Sequence, residues 1–139
     1  GSQSVVASID YKIINNEPKL FHWDEKETNF EIDLPEHISN LTKMGFGEIL
    51  INSVNKDGTG FGLDTAFIEN FSKNCELPLI VMGGAGKFEH FVPVYKINKV
   101  DAVATANLLN FIGDALPSAR ERLIQDGIEL SQFKDPLFL

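Results

Sequence analysis

The chain has 139 residues, enough for one core and too few for two large domains. Its formal charge of -8 excludes the basic face that a nucleic-acid surface needs, so any phosphate site must rely on backbone amides and a few local cations. Hydrophobic content of 43% and charged content of 23% read as an ordinary globular domain; the lone Cys75 allows no internal disulfide and fits a reducing, cytoplasmic compartment, and no apolar run reaches membrane-crossing length.

Gly1-Ser2 lacks an initiating Met and reads as a cloning scar, so a single domain is expected over 3–139 and the natural chain is expected to begin earlier. Val5-Val6-Ala7-Ser8-Ile9, ending at Asp10, reads as a strand covered on both faces. Tyr11 to Phe30 is mixed and polar, with Asn15-Asn16 and Pro18, and predicts a hairpin or an extended excursion. Asp33-Leu34-Pro35-Glu36 has the marks of a helix start: Asp33 can cap, Pro35 suits the first turn, and Glu36 lies at capping-box spacing. Leu34, Ile38 and Leu41 then recur at helical spacing until Gly45 stops the helix.

The second unit is a strand over Glu48 to Ser53, a glycine-bearing loop, and a helix from about Asp64 with Phe67, Ile68 and Phe71 on its apolar face. The third is a strand over Leu79 to Met82, the loop Gly83-Gly84-Ala85-Gly86, and a helix marked by Phe88, Phe91 and Tyr95 that Pro93 kinks or delays. The fourth is a strand over Ala102 to Ala106 and a helix that Pro117 opens, with Leu116, Ala119, Leu123 and Ile124 on one face and Gly127 as its stop. The tail from Ser131 to Leu139 is short and hydrophobic at its tip.

Four alternating strand–helix units imply a parallel sheet with helices outside it. Ligands then belong at the carboxyl ends of the strands. Asp10, Asn52 to Gly58, Gly83 to Gly86 and Thr105 to Asn107 all fall at that edge. A strand that opens into a glycine-rich turn and then a helix brings free amides close to an anion. Two such units in succession point to a phosphorylated ligand.

The motif residues also carry a family resemblance. Val5-Val6-Ala7-Ser8-Ile9-Asp10-Tyr11-Lys12, the run from Gly47 through Lys56-Asp57-Gly58-Thr59 to Asp64, and Gly83-Gly84-Ala85-Gly86-Lys87-Phe88-Glu89-His90-Phe91 together resemble the cyclase subunit of imidazole glycerol phosphate synthase. Their order and spacing match the C-terminal half of that (β/α)8 barrel, and the resemblance covers nearly the whole chain. It implies a (β/α)4 half-barrel. It also implies cyclase (lyase) chemistry on a phosphoribulosyl aminoimidazole carboxamide nucleotide, with ammonia drawn from a glutaminase partner. Some relatives serve surface-polysaccharide pathways instead of histidine synthesis.

On this resemblance Asp10 is one member of an acid/base pair whose second aspartate belongs to the other barrel half. Gly58, Gly84, Ala106 and Asn107 hold a phosphate through backbone amides, Asp57 is a loop acid near the substrate, and Asn52, Thr59 and Gly83 complete the candidate contacts. Glu48 lies where the family gates ammonia at the bottom of the barrel. No cofactor is implied. Departures occur at Asn55, where the family usually has Asp; at Met82, where a small Ser is common; at Asn107, where Ser or Gly is frequent; and over 29–33, which lacks a Thr-Gly element. These bear on which substrate is taken.

A carboxylate at a strand end also caps turns, and a glycine loop alone is often just a turn. Lys12 and Lys56 read as surface lysines, Cys75 as inert, and the phenylalanines as core. His22, His37 and His90 show no metal spacing and read as surface or helix residues. The isolated chain lacks the second aspartate and the second phosphate site. It is expected to be inactive until an N-terminal half-barrel or a second copy closes the sheet. The competing readings are a non-catalytic phosphate-binding or assembly module, and a flavodoxin-like domain with a flat open sheet.

Overall fold

The computed structural model describes residues 1–22, 27–29, 33–110 and 115–130. A six-stranded sheet forms its centre, with strand order β3-β2-β1-β4-β5-β6. Strands β1 (Val6–Ile14), β4 (Glu48–Ser53), β5 (Leu79–Met82) and β6 (Ala102–Val103) run parallel. β2 (Glu17–His22) and β3 (Glu27–Asn29) add antiparallel to one side.

Of the two readings for the stretch after Tyr11, the hairpin is the one adopted. β1 runs on past Asp10 to Ile14 and turns at Asn15 and Asn16, both at positive φ (51° and 65°), which asparagine tolerates better than most side chains. The pairing of β2 takes up only Tyr11 to Ile14 of β1. Among the described residues the stretch Val6 to Asp10 pairs on one side alone, with β4.

The strands are not covered on both faces, contrary to the reading of β1 as fully buried. Ala7, Ile9 and Tyr11 of β1 are buried, as are Ile49, Ile51 and Ser53 of β4 and Leu79 and Val81 of β5. The alternating positions Val6, Ser8, Glu48, Leu50, Asn52, Ile80 and Met82 are exposed or half-buried. The helices lie on a single side, so period-two alternation decides which residues enter the core.

Helix α1 (Leu34–Lys43) starts where Asp33 and Pro35 predict, with Leu34 and Ile38 buried. Asp33 occupies the N-cap position, but its side chain makes no capping bond; its backbone carbonyl takes the His37 amide at 2.9 Å. Gly45 ends the helix at φ 80°. α2 (Thr65–Ser72) is capped by Asp64, whose Oδ1 accepts the Phe67 amide at 3.3 Å. Phe67 stacks on the buried Tyr11 ring, centroids 4.1 Å apart, and so ties α2 to β1.

After β5, Pro93 delays the helix as expected. A 3-10 turn over Phe88–His90 comes first, and only then the short α3 (Val92–Tyr95). β6 is shorter than the predicted Ala102 to Ala106. Ala104 still donates to the Val81 carbonyl at 2.9 Å, but β5 ends at Met82 and leaves nothing to pair with beyond it. The chain leaves the ladder there and coils into a 3-10 turn over Asn107–Asn110. α4 (Ala115–Gln125) begins ahead of Pro117, which therefore sits inside its first turn. Leu123 is buried, whereas Ile124, named with it among the apolar residues of this helix, is 39% exposed. The Leu116 and Ala119 side chains and the tail 131–139 lie outside the described residues.

Candidate phosphate and acid–base site

The strand register sets the site. Asp10 on β1 is level with Asn52 on β4, and Asn52 is level with Met82 on β5. All three belong to the face that the helices leave open. Asn52 Nδ2 donates to Asp10 Oδ1 at 3.0 Å, which fixes the carboxylate one strand away from the glycine loops. Asn52 Oδ1 is buried and has no hydrogen-bond partner among the described residues. A buried acceptor of this kind has room for a further donor.

The loop after β4 folds on itself. The Lys56 and Asp57 amides both return to the Ser53 carbonyl, at 3.1 and 2.8 Å. Asn55 Oδ1 accepts the Ile13 amide at 2.7 Å and ties the loop to β1. The Thr59 hydroxyl donates to the Lys56 carbonyl at 2.6 Å, so it is engaged within its own turn.

The loop after β5 packs directly onto the first. A Cβ at Gly83 would stand 2.8 Å from the Ser53 carbonyl oxygen and 2.9 Å from Asn52 Oδ1, and φ there is 101°. Gly84, at φ 102°, leaves no room for a Cβ because the Gly62 carbonyl occupies that space, with Lys56 Cβ beside it. The Gly62 amide donates to the Gly84 carbonyl at 2.8 Å. These glycines are therefore required by close backbone approach as well as by φ.

Asn107, at the turn after β6, reaches the first loop: its Nδ2 lies 3.4 Å from Asp57 Oδ1 and close to Gly58. Asp57, Gly58, Gly84 and Asn107 are thus brought together, with Ala106 adjacent along the chain. Among the described residues nothing takes up the amides of Gly58, Gly84, Ala106 or Asn107. Clustered unengaged amides at the carboxyl edge of a parallel sheet suit an anion. Glu48 does not join them; it starts β4 opposite Val6, exposed at the far end of the sheet.

Sequence reasoning undervalued two residues. Lys56 has its stem beside Gly84, so it can bring the local cation that a chain of charge -8 needs. His90 is not a bystander: its Nδ1 accepts the Gly86 amide at 3.1 Å and its ring lies against Gly62. The signal for both lay in their motifs, Lys56 directly before Asp57-Gly58 and His90 four residues after Gly86. Burial, then the nearby Lys87, lowers the His90 pKa below its ordinary value, with Glu89 opposing, which favours the neutral ring. Cys75 is buried with its Sγ 3.4 Å from the Leu77 carbonyl. Burial pushes its thiol up, which suits an inert residue. Burial likewise drives the Tyr11 hydroxyl well above the phenol range.

A cleft of about 680 Å³ opens elsewhere, between α1 and α2, over Leu34, Ile38, Phe67 and Phe71. It holds none of the site residues. The site residues lie along the open carboxyl edge of the sheet.

Four strand–helix units with a glycine-lined carboxyl edge define half of a (β/α)8 barrel. The model of the family described as "Histidine biosynthesis protein" matches residues 1–113, and the chain belongs to that family. It is 42% identical over 137 residues to a "Putative imidazole glycerol phosphate synthase subunit hisF2" of Parasynechococcus marenigrum, covering 99% of this chain and 50% of the relative. It is 35% identical over 130 residues to the "Imidazole glycerol phosphate synthase subunit HisF" of Sulfurisphaera tokodaii, covering 94% and 51%. The corresponding subunit of a Thermotoga species gives the same identity and coverage. The chain spans about half the length of the curated relatives it matches. No helix among the described residues is long and apolar enough to cross a membrane.

Proposed function

We propose that this chain is the C-terminal half of an imidazole glycerol phosphate synthase cyclase. In this reading it closes an imidazole ring on a phosphoribulosyl aminoimidazole carboxamide nucleotide, using ammonia from a glutaminase partner. Asp10 serves as one general acid/base, oriented by Asn52. The amides of Gly58, Gly84, Ala106 and Asn107 hold one phosphate, with Lys56 as the counter-charge and Asp57 ordering Asn107. Glu48, exposed at the opposite end, lies on the side where ammonia enters. The observation that carries the reading is the placement of Asp10 on the open face, level with Asn52 and beside the glycine loops.

The isolated half is inactive in this reading, because the face of its sheet that the helices leave open calls for further strands. An N-terminal half-barrel or a second copy of the chain supplies them. β6, paired only with β5 among the described residues, is an edge to be closed.

The test is ammonia-dependent ring closure by the complete barrel, with and without Asp10→Asn, alongside its affinity for inorganic phosphate. The expected result is a loss in turnover of about 10²–10⁴-fold with phosphate affinity retained. Unchanged turnover in Asp10→Asn would leave a non-catalytic phosphate-binding or assembly module as the better account.

A further inference from the structure

We propose that His90 is a positioning residue for the phosphate cradle, holding the second glycine loop against the first; this rests on the phosphate reading above. Gly86 is where that loop meets the first. Its Cα packs on Gly60 so closely that a Cβ would come within 2.6 Å of the Gly60 Cα and 2.5 Å of its carbonyl oxygen. The Gly86 amide points to His90 Nδ1 at 3.1 Å. A backbone amide can only donate, so Nδ1 must be the bare, accepting nitrogen and the ring proton must sit on Nε2.

The same ring faces the other loop. A Cβ at Gly62 would meet His90 Cγ and Cδ2 at 3.6 Å, ordinary van der Waals contact. Gly62 in turn donates its amide to the Gly84 carbonyl at 2.8 Å. His90 thus faces both sides of the loop pair, by a hydrogen bond on Gly86 and with its ring beside the space a Gly62 Cβ would take. Gly84, whose amide the phosphate reading uses, lies between these two anchors. From the end of the turn Phe88–His90 the residue sets where Gly84 stands relative to Lys56 and Gly58.

Binding of inorganic phosphate to the intact chain, combined with amide exchange at Gly86, tests this. His90→Leu keeps bulk against Gly62 and removes the acceptor. His90→Asn returns an acceptor oxygen near the position of Nδ1. The expected result is phosphate affinity about fivefold weaker in His90→Leu, the equivalent of one net hydrogen bond, and affinity within about twofold of the parent in His90→Asn. Gly86 should exchange faster in the leucine variant and slowly again in the asparagine variant, at matched thermal midpoints. Equal phosphate affinity and equal Gly86 protection in parent and His90→Leu would overturn the proposal, as would an asparagine variant no better than leucine in both. If the parent itself fails to bind phosphate, the phosphate reading falls and the cradle-positioning role with it. Gly86 protection then decides whether the latch between the loops exists on its own.

Discussion

The two faces of one sheet carry different tasks. On the helix-covered face Ile9, Ile49, Ile51, Leu79 and Val81 are almost entirely buried and hold the fold together. On the other face the interleaved residues Val6, Asp10, Glu48, Leu50, Asn52 and Met82 are exposed or half-buried. Stability and chemistry therefore alternate residue by residue along the same strands. A substitution on one face should move the melting curve, and one on the other face should move binding or turnover.

The largest effect on stability should come from Leu79→Ala. It removes a fully buried side chain at the centre of the covered face and is expected to cost about 2–5 kcal/mol in chemical denaturation. If the loss is under 1 kcal/mol, the covered face is not the core that separates the two roles.

Gly84→Ala tests the boundary between the faces. It places a Cβ into the Gly62 carbonyl at a left-handed φ, which is expected to cost about 1–3 kcal/mol and to abolish measurable phosphate binding. Isothermal titration with phosphate checks the second part; retained binding would mean that the cradle lies elsewhere.

A smaller effect concerns acid. Burial depresses the folded-state pKa of both His37 and His90, with His22 adding to the shift of His37. The unfolded chain then binds protons more readily than the folded one. Stability from this source is fully present above the ordinary histidine value of about 6.5 and falls as pH drops through the lower folded values. The thermal midpoint should decline below about pH 6.5, and the decline should be shallower in His37→Gln.

The smallest effect should come from Val6→Thr, an exposed change of similar shape on the open face. It is expected to alter the stability of the isolated chain by no more than about 0.5 kcal/mol. Its consequence should instead show in light scattering, as weaker association with whatever half closes the sheet.

Much of this was legible in the sequence. The bounds of β4 and β5, the helix start near Asp64, the delay at Pro93 and the stops at Gly45 and Gly127 follow from local patterns that any fold must respect, because propensity, capping and φ are set within a few residues. The clustering of Asp10 with the glycine loops at one edge follows from alternation of strands and helices. What the sequence left open depended on partners far along the chain. Whether Tyr11 to Phe30 makes a hairpin was decided by its pairing with β1, and where β6 ends was decided by where β5 turns away. That the strands are covered on one face only was invisible in runs such as Val5 to Ile9, since an apolar run does not say which of its sides meets a helix. His90 was legible only as a scattered histidine. Its hydrogen bond to Gly86 is local, but its approach to Gly62 exists only because the second glycine loop, with no room for a Cβ at Gly83, Gly84 or Gly86, packs against the first in space.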